Sequence, residues 1–174
     1  MKSERITKLV LRFTSFIIVL VFGGIVLSMI ADAIPAFKTF GFFNFIFSKE
    51  WNPTEGKESY GALPFVVGTI YTSFLALLIC IPLAFSTSLF IAEYFNNTKI
   101  ASVLRTLVDL LAGVPSIVYG LWGFYAIRPL ITQLGYSDNG YGIFTSGIVL
   151  AIMIIPYATS ISNEIIGMVP VELK

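Results

Sequence analysis

Residues Leu110 to Leu130 read LLAGVPSIVYGLWGFYAIRPL, and the way this string can be helical decides the fold. It is apolar enough to enter a bilayer, yet Gly113, Pro115, Gly120 and Gly123 weaken it as an ordinary helix. Pro115 removes one backbone N–H and crowds the carbonyl of Leu111, so such a helix needs neighbours that satisfy what it leaves open. On a continuous helix, steps of four and three residues from Arg105 reach Asp109, Gly113, Ser116, Gly120 and Gly123, a charged and then small stripe on one face. Leu110, Val114, Val118, Leu121, Trp122, Phe124 and Tyr125 fall on the others. Small residues let membrane helices approach closely, and an ionisable residue marks a bundle interior or a solute route. The stripe therefore lines either a helix contact or a translocation path, and the sequence leaves both open.

Around this string the whole chain is apolar. Of its 174 residues 56% are hydrophobic and 12% charged, with a mean hydropathy of +0.87, values that belong to a membrane protein. Charge-free stretches run over Phe13–Ala31 (19 residues), Ser59–Ala92 (34), Leu110–Ile127 (18) and Asn139–Asn163 (25), against the roughly 20 residues that cross a hydrocarbon core. The expected fold is an all-α, polytopic transmembrane helix bundle of about four spans. As one helix the 34-residue stretch would reach about 50 Å, too long for one straight span, so Pro82 is expected to divide it into a span and a bent end.

Composition also prunes the chemistry. The chain has no His and one Cys, which removes the commonest metal ligand and general base and any intrachain disulfide. Cys80, between Ile79 and Ile81, reads as a small packed hydrophobe. No catalytic residue, metal ligand or cofactor is expected. A net charge of +1 without a basic cluster gives no support for nucleic-acid binding.

In chain order, residues 1–12 form a flank with Lys2, Arg5, Lys8 and Arg12 against Glu4, which places the N-terminus in the cytoplasm ahead of a first span over 13–31. Ala31-Asp32-Ala33 resembles a signal-peptidase site, but the apolar run exceeds the usual h-region of roughly 7 to 15 residues and more spans follow, so cleavage is not the favoured reading. Residues 32–60 are expected outside, an aromatic-rich segment at headgroup level that ends in a polar turn at Trp51-Asn52-Pro53 and Glu55–Glu58. The core over 61–174 follows. Its hydroxyls, including Ser88, read as helix-backbone partners, and Glu93–Lys99 as a short cytoplasmic connection.

Arg105 and Asp109, four apart, are expected to pair along a helix near the cytoplasmic surface, with a charged gate or an anion contact as the functional alternative. Arg128-Pro129 is expected to close the third span, with Arg128 an interfacial anchor beside Trp122 and Tyr125, or, as the functional alternative, the cation that greets an anion at the outer mouth. Gly135–Gly142 is a turn, and a fourth span over about 143–161 ends in Thr159, Ser160, Ser162, Asn163 and Glu164. By alternation that end is cytoplasmic. Expected cytoplasmic segments carry seven Lys and Arg and outward ones four, a modest bias in the same sense. The tail leaves the span at Gly167, and Val169-Pro170-Val171-Glu172 reads as a helix start.

The string Ala112 to Leu130, AGVPSIVYGLWGFYAIRPL, resembles the signature of PstC-type permeases of the phosphate-specific ABC importer. Gly61-Ala62-Leu63-Pro64 and the V-P-V-E-L-K end are weaker matches to the same family. The resemblance implies a permease subunit in the cell inner membrane, working by alternating access. Its implied partners are a second permease subunit, two ATP-binding subunits, an extracytoplasmic phosphate-binding protein and membrane lipid. It also implies that Glu164, Pro170 and Glu172 stand at the start of the loop that docks on the ATPase. Lys174 comes before the E-A-A residues of that loop, and family members have about six spans, so the sequence reads as an N-terminal two thirds. No G-x-x-x-x-G-K-[ST] loop is present, which agrees with ATP hydrolysis on a separate subunit. The same fold carrying molybdate, sulfate or an amino acid, or a membrane scaffold without transport, are the alternatives.

Overall fold

The computed structural model describes residues 2–95 and 98–170, with backbone only for residues 2–5. The fold is all-α and polytopic. Seven α-helices and one two-residue-per-strand hairpin are found among the described residues: α1 (Lys2–Phe40), α2 (Phe42–Phe47), β1 (Trp51–Asn52), β2 (Ser59–Tyr60), α3 (Leu63–Leu89), α4 (Lys99–Ala112), α5 (Ser116–Trp122), α6 (Arg128–Gln133) and α7 (Ile143–Met168). The chain divides into two compact units, residues 1–65 and 66–174.

In the first unit, α1 runs nine residues past Ala31, where the charge-free stretch ends. Asp32 and Lys38 do not stop it, because a charge at the end of a span leaves backbone pairing intact. The stop is Gly41, whose φ of 76° is the left-handed turn that a side chain would resist. Beyond it the aromatics pack on one another: Phe37 meets Phe42 and Phe45 edge-on at 5.2 and 5.5 Å, and Trp51 meets Tyr60 and Phe65 at 5.2 and 4.8 Å. Trp51–Asn52, expected in a turn, instead forms the first strand of a hairpin whose turn falls at residues 55–56, with Trp51 opposite Tyr60. Gly61 lies against the Ser48 carbonyl too closely for any Cβ, and the Ala62 N–H donates to Phe45 O at 2.7 Å.

The second unit is organised by α7, on which α4 packs most extensively. Pro82 lies inside α3 and does not divide it; the helix continues to Leu89 and then as a π-helical turn over Phe90–Tyr94. Proline removes one hydrogen bond, whereas breaking the helix in hydrocarbon would leave several backbone groups unpaired. Ala76, Cys80, Ala84 and Ser88, spaced four apart on α3, are buried, as are Gly147, Ala151 and Thr159 on α7. The two helices touch at two places where small residues leave room. A Cβ at Gly147 would stand 2.7 Å from Leu75 Cδ2, and Ser88 Oγ donates to Ala84 O at 2.6 Å and to Thr159 O at 3.2 Å. Leu75 beside Gly147 and Ser88 beside Thr159 mean that α3 and α7 run in the same direction. Pro156 is likewise held within α7, which ends at Met168, one residue beyond the expected break at Gly167.

Among the described residues, the helices α1, α3 and α7 are each long and apolar enough to cross a membrane, and a fourth span is available as a bent pair, Lys99–Ala112 with Ser116–Gln133, turned by 90°. The expected continuous third span is thus two helices. Gly113 ends α4, its N–H donating to Asp109 O at 3.1 Å. Pro115, with ψ of 139°, is extended and starts α5 as its N-cap. Tyr119 OH donates to Leu111 O at 2.9 Å, tying the two sides of the bend together.

Candidate functional site

Breaking the third span also breaks the stripe. Arg105 and Asp109 stay on α4, Gly113 and Pro115 form the bend, and Ser116, Gly120 and Gly123 turn away on α5 and the π-helical turn Gly123–Ile127 that follows it. These last three, with Arg128, line one wall of an open groove of about 310 Å³. Thr145, Ser146 and Val149 of α7 line the other. The two glycines differ. A Cβ at Gly123 would come within 2.5 Å of Val149 Cγ2, so this position is a helix contact, whereas a Cβ at Gly120 would meet nothing within 4 Å. Within this chain the small stripe is therefore packed at one end and open at the other.

Arg128 does not close the third span. The π-helical turn ahead of it widens the backbone, and the helix passes through Pro129 to Gln133. In an α-helix the proline ring would press on the carbonyl four residues back, and the wider turn gives it room. Arg128 is half-buried, and its neighbours are Phe124 and Tyr141 rather than Trp122 and Tyr125. The guanidinium carbon stands 4.9 and 4.1 Å from their ring centroids, and Nε donates to Asn139 O at 2.8 Å. Gly140 (φ 71°) packs so closely on the Arg128 carbonyl that a Cβ has no room. The Gly135–Gly142 loop is in this way pinned to α6.

The groove can offer specific chemistry. Its lining carries no carboxylate, and the Arg128 guanidinium stands at the end of a largely apolar surface; Arg128 also lines a neighbouring cleft with Asp138 and Asn139. The Thr145 hydroxyl is engaged, donating to Gly140 O at 2.7 Å. Ser116 and Ser146 contribute hydroxyls beside it. A fixed guanidinium and hydroxyls suit contact with an oxyanion. A general acid or base is lacking on these walls.

Arg105 and Asp109 lie at a separate cleft of about 350 Å³, with Thr98, Ser102 and Thr106. They do not pair. Asp109 Oδ1 instead accepts from Ser160 Oγ of α7 at 2.7 Å, because α4 packs on α7 and brings that hydroxyl to the carboxylate; the base-first order of Arg105 and Asp109 is also the weaker one along a helix. Glu164 is exposed near the end of α7 and Pro170 lies just past it; Glu172 is outside the described residues.

The sequence reading did not single out Tyr141, Asn139 and Gly140 around Arg128, nor Ser160 opposite Asp109. The Asp138-Asn139-Gly140 turn and the polar spacing Thr159, Ser160, Asn163 were visible signals. Which of them met Arg128 or Asp109 depended on helix directions that the sequence does not carry.

The chain is 34% identical over 94% of its residues to the phosphate transport system permease protein PstC of Pasteurella multocida, covering 56% of that protein. It is 34% identical over the same share to PstC of Mesorhizobium japonicum, covering 54%. A probable ABC transporter permease of Bacillus subtilis is 37% identical over 75% of the chain and 42% of its own length. The chain thus spans about half the length of the curated relatives it matches. No family model and no solved structure matches it. The resemblance to PstC-type permeases accordingly extends over nearly the whole chain.

Proposed function

We propose that this chain is part of the permease subunit of an ATP-driven inorganic phosphate importer. The observation that carries the proposal is the likeness to PstC along 94% of the chain. The groove supports it: an open, uncharged wall of small residues that ends at a guanidinium is what a path for an oxyanion requires. In this reading the chain lies in the inner membrane with its N-terminus in the cytoplasm, and Ser116, Gly120 and Arg128 face the path formed with a second permease subunit. Two separate ATP-binding subunits hydrolyse ATP, an extracytoplasmic phosphate-binding protein delivers the solute, and the α7 end from Glu164 onward couples to the ATPase. Alternating access needs helices that hinge, and the Gly113–Pro115 bend supplies one hinge.

Uptake of labelled phosphate by cells that lack the complete gene tests this. High-affinity uptake is expected to be lost, to return with a plasmid copy, and to resist competition by excess molybdate or sulfate. Undiminished uptake in the deletion strain would overturn the proposal, and restoration of sulfate or molybdate uptake alone would assign the permease another solute.

A further inference from the structure

A second polar feature lies away from the groove, where α4 meets α7. Asp109 stands in the last turn of α4 and its Oδ1 accepts from Ser160 Oγ at 2.7 Å, a hydrogen bond between side chains 51 residues apart. A hydroxyl given to a carboxylate is among the stronger hydrogen bonds available to side chains. The same turn of α7 is held from its other side, since Ser88 Oγ of α3 donates to Thr159 O at 3.2 Å. Thr159 is only 1% exposed, yet its Oγ1 is buried without a partner, as is Asn163 Oδ1. Asn163, at +3, shares the helical face of Ser160, whereas Thr159, at −1, is turned about 100° away from it. Buried polar groups in this state are uncommon and call for an explanation. Pro156, three residues before Thr159, removes a backbone N–H and weakens α7 just ahead of this turn.

We infer that Asp109 is a positioning residue that carries movement of the Glu164–Met168 end of α7 to the groove wall. The inference rests on the transport reading above. Movement of α7 pulls Ser160, Ser160 pulls Asp109, and α4 acts as a rigid lever of 14 residues. At Gly113–Pro115 the chain turns by 90°, so a shift along α4 becomes a swing of α5, on which Ser116 and Gly120 stand. Asn163, three residues on, lies on the face of Ser160, and its amide NH2 gives Asp109 a second donor to meet when α7 shifts. A packed junction with two discrete hydrogen-bonded arrangements is the kind of element that transmits a conformational step.

The test uses the reconstituted full-length transporter with its ATPase subunits and binding protein, and reads ATP hydrolysed per phosphate transported. Ser160→Ala and Asp109→Leu are expected to raise this ratio about tenfold, the effect of losing one hydrogen bond to a charged group. Asp109→Asn, which keeps an acceptor, is expected to stay within about twofold of wild type. An unchanged ratio in Ser160→Ala and Asp109→Leu would overturn the inference. So would uptake and hydrolysis falling in the same proportion, which marks a role in assembly only. A wild-type complex with no ATP-driven phosphate uptake would overturn the transport reading itself, and the inference with it.

Discussion

Gly120 and Gly123, three residues apart, place opposite demands on a substituted side chain. At Gly123 any Cβ collides with Val149, so Gly123→Leu is expected to push α5 off α7 and to cost about 1–3 kcal/mol, the usual range for overpacking. A lower Tm of the purified protein, with reduced yield, checks this. Gly120→Leu meets open space within the chain, and its Tm is expected to stay near wild type while phosphate uptake falls. An equal loss of Tm in both variants would contradict the assignment of one glycine to packing and the other to the path. The sequence showed that both positions are small and on one face. It did not show which faces a neighbour, because that depends on where α7 packs, a contact made between Gly123 and Val149, 26 positions apart in the chain. The partners of Arg128 were not legible either: the rings nearest in sequence are Tyr125 and Phe124, and one of the two it uses, Tyr141, arrives only when the loop folds back.

Prolines at the scale of elements behave according to what surrounds them. Pro82 and Pro156 sit inside α3 and α7 without ending them, while Pro115 breaks the third span, preceded by Gly113 where the α4 pattern already terminates. The sequence located the weak point of that span correctly and missed its consequence, a bend of 90° that separates Arg105 and Asp109 from the groove. Four apolar stretches were legible because hydrophobic length is a local property; the bend and the Asp109–Ser160 bond were not, since they are set by the packing of α4 on α7. The hairpin outside the spans gives a separate test at this scale. The Gly56 N–H donates to Glu58 Oε1 at 3.0 Å, and this bond, with the Glu58 N–H, holds the carboxyl below its ordinary value of 4.5. A depressed pKa in the folded state contributes stability above that ordinary value and loses it as pH falls through the folded one. Fluorescence of Trp51, packed on Tyr60 and Phe65, is therefore expected to change in acid below pH 4.5 in a Trp122→Phe background. In Glu58→Gln that transition is expected to disappear, and its persistence would assign it to another group.

For the molecule as a whole, the helices α3 and α7 run in the same direction with the bent third span between them, an order that agrees with alternate crossing of a bilayer. The packing of α4 and α5 on α7 holds this unit together, and the groove opens where α5 leaves α7. The direct test of a phosphate path along α5 is labelled-phosphate uptake by cells whose only copy of the full-length gene carries Gly120→Cys, before and after treatment with a membrane-permeant thiol reagent. Cys80 is buried, and wild-type cells treated in parallel set the reagent's effect on all other thiols. Gly120→Cys is expected to transport phosphate until the thiol is modified and then to fall to the level of the deletion strain. Complete modification of Cys at position 120 with undiminished phosphate uptake would contradict the account.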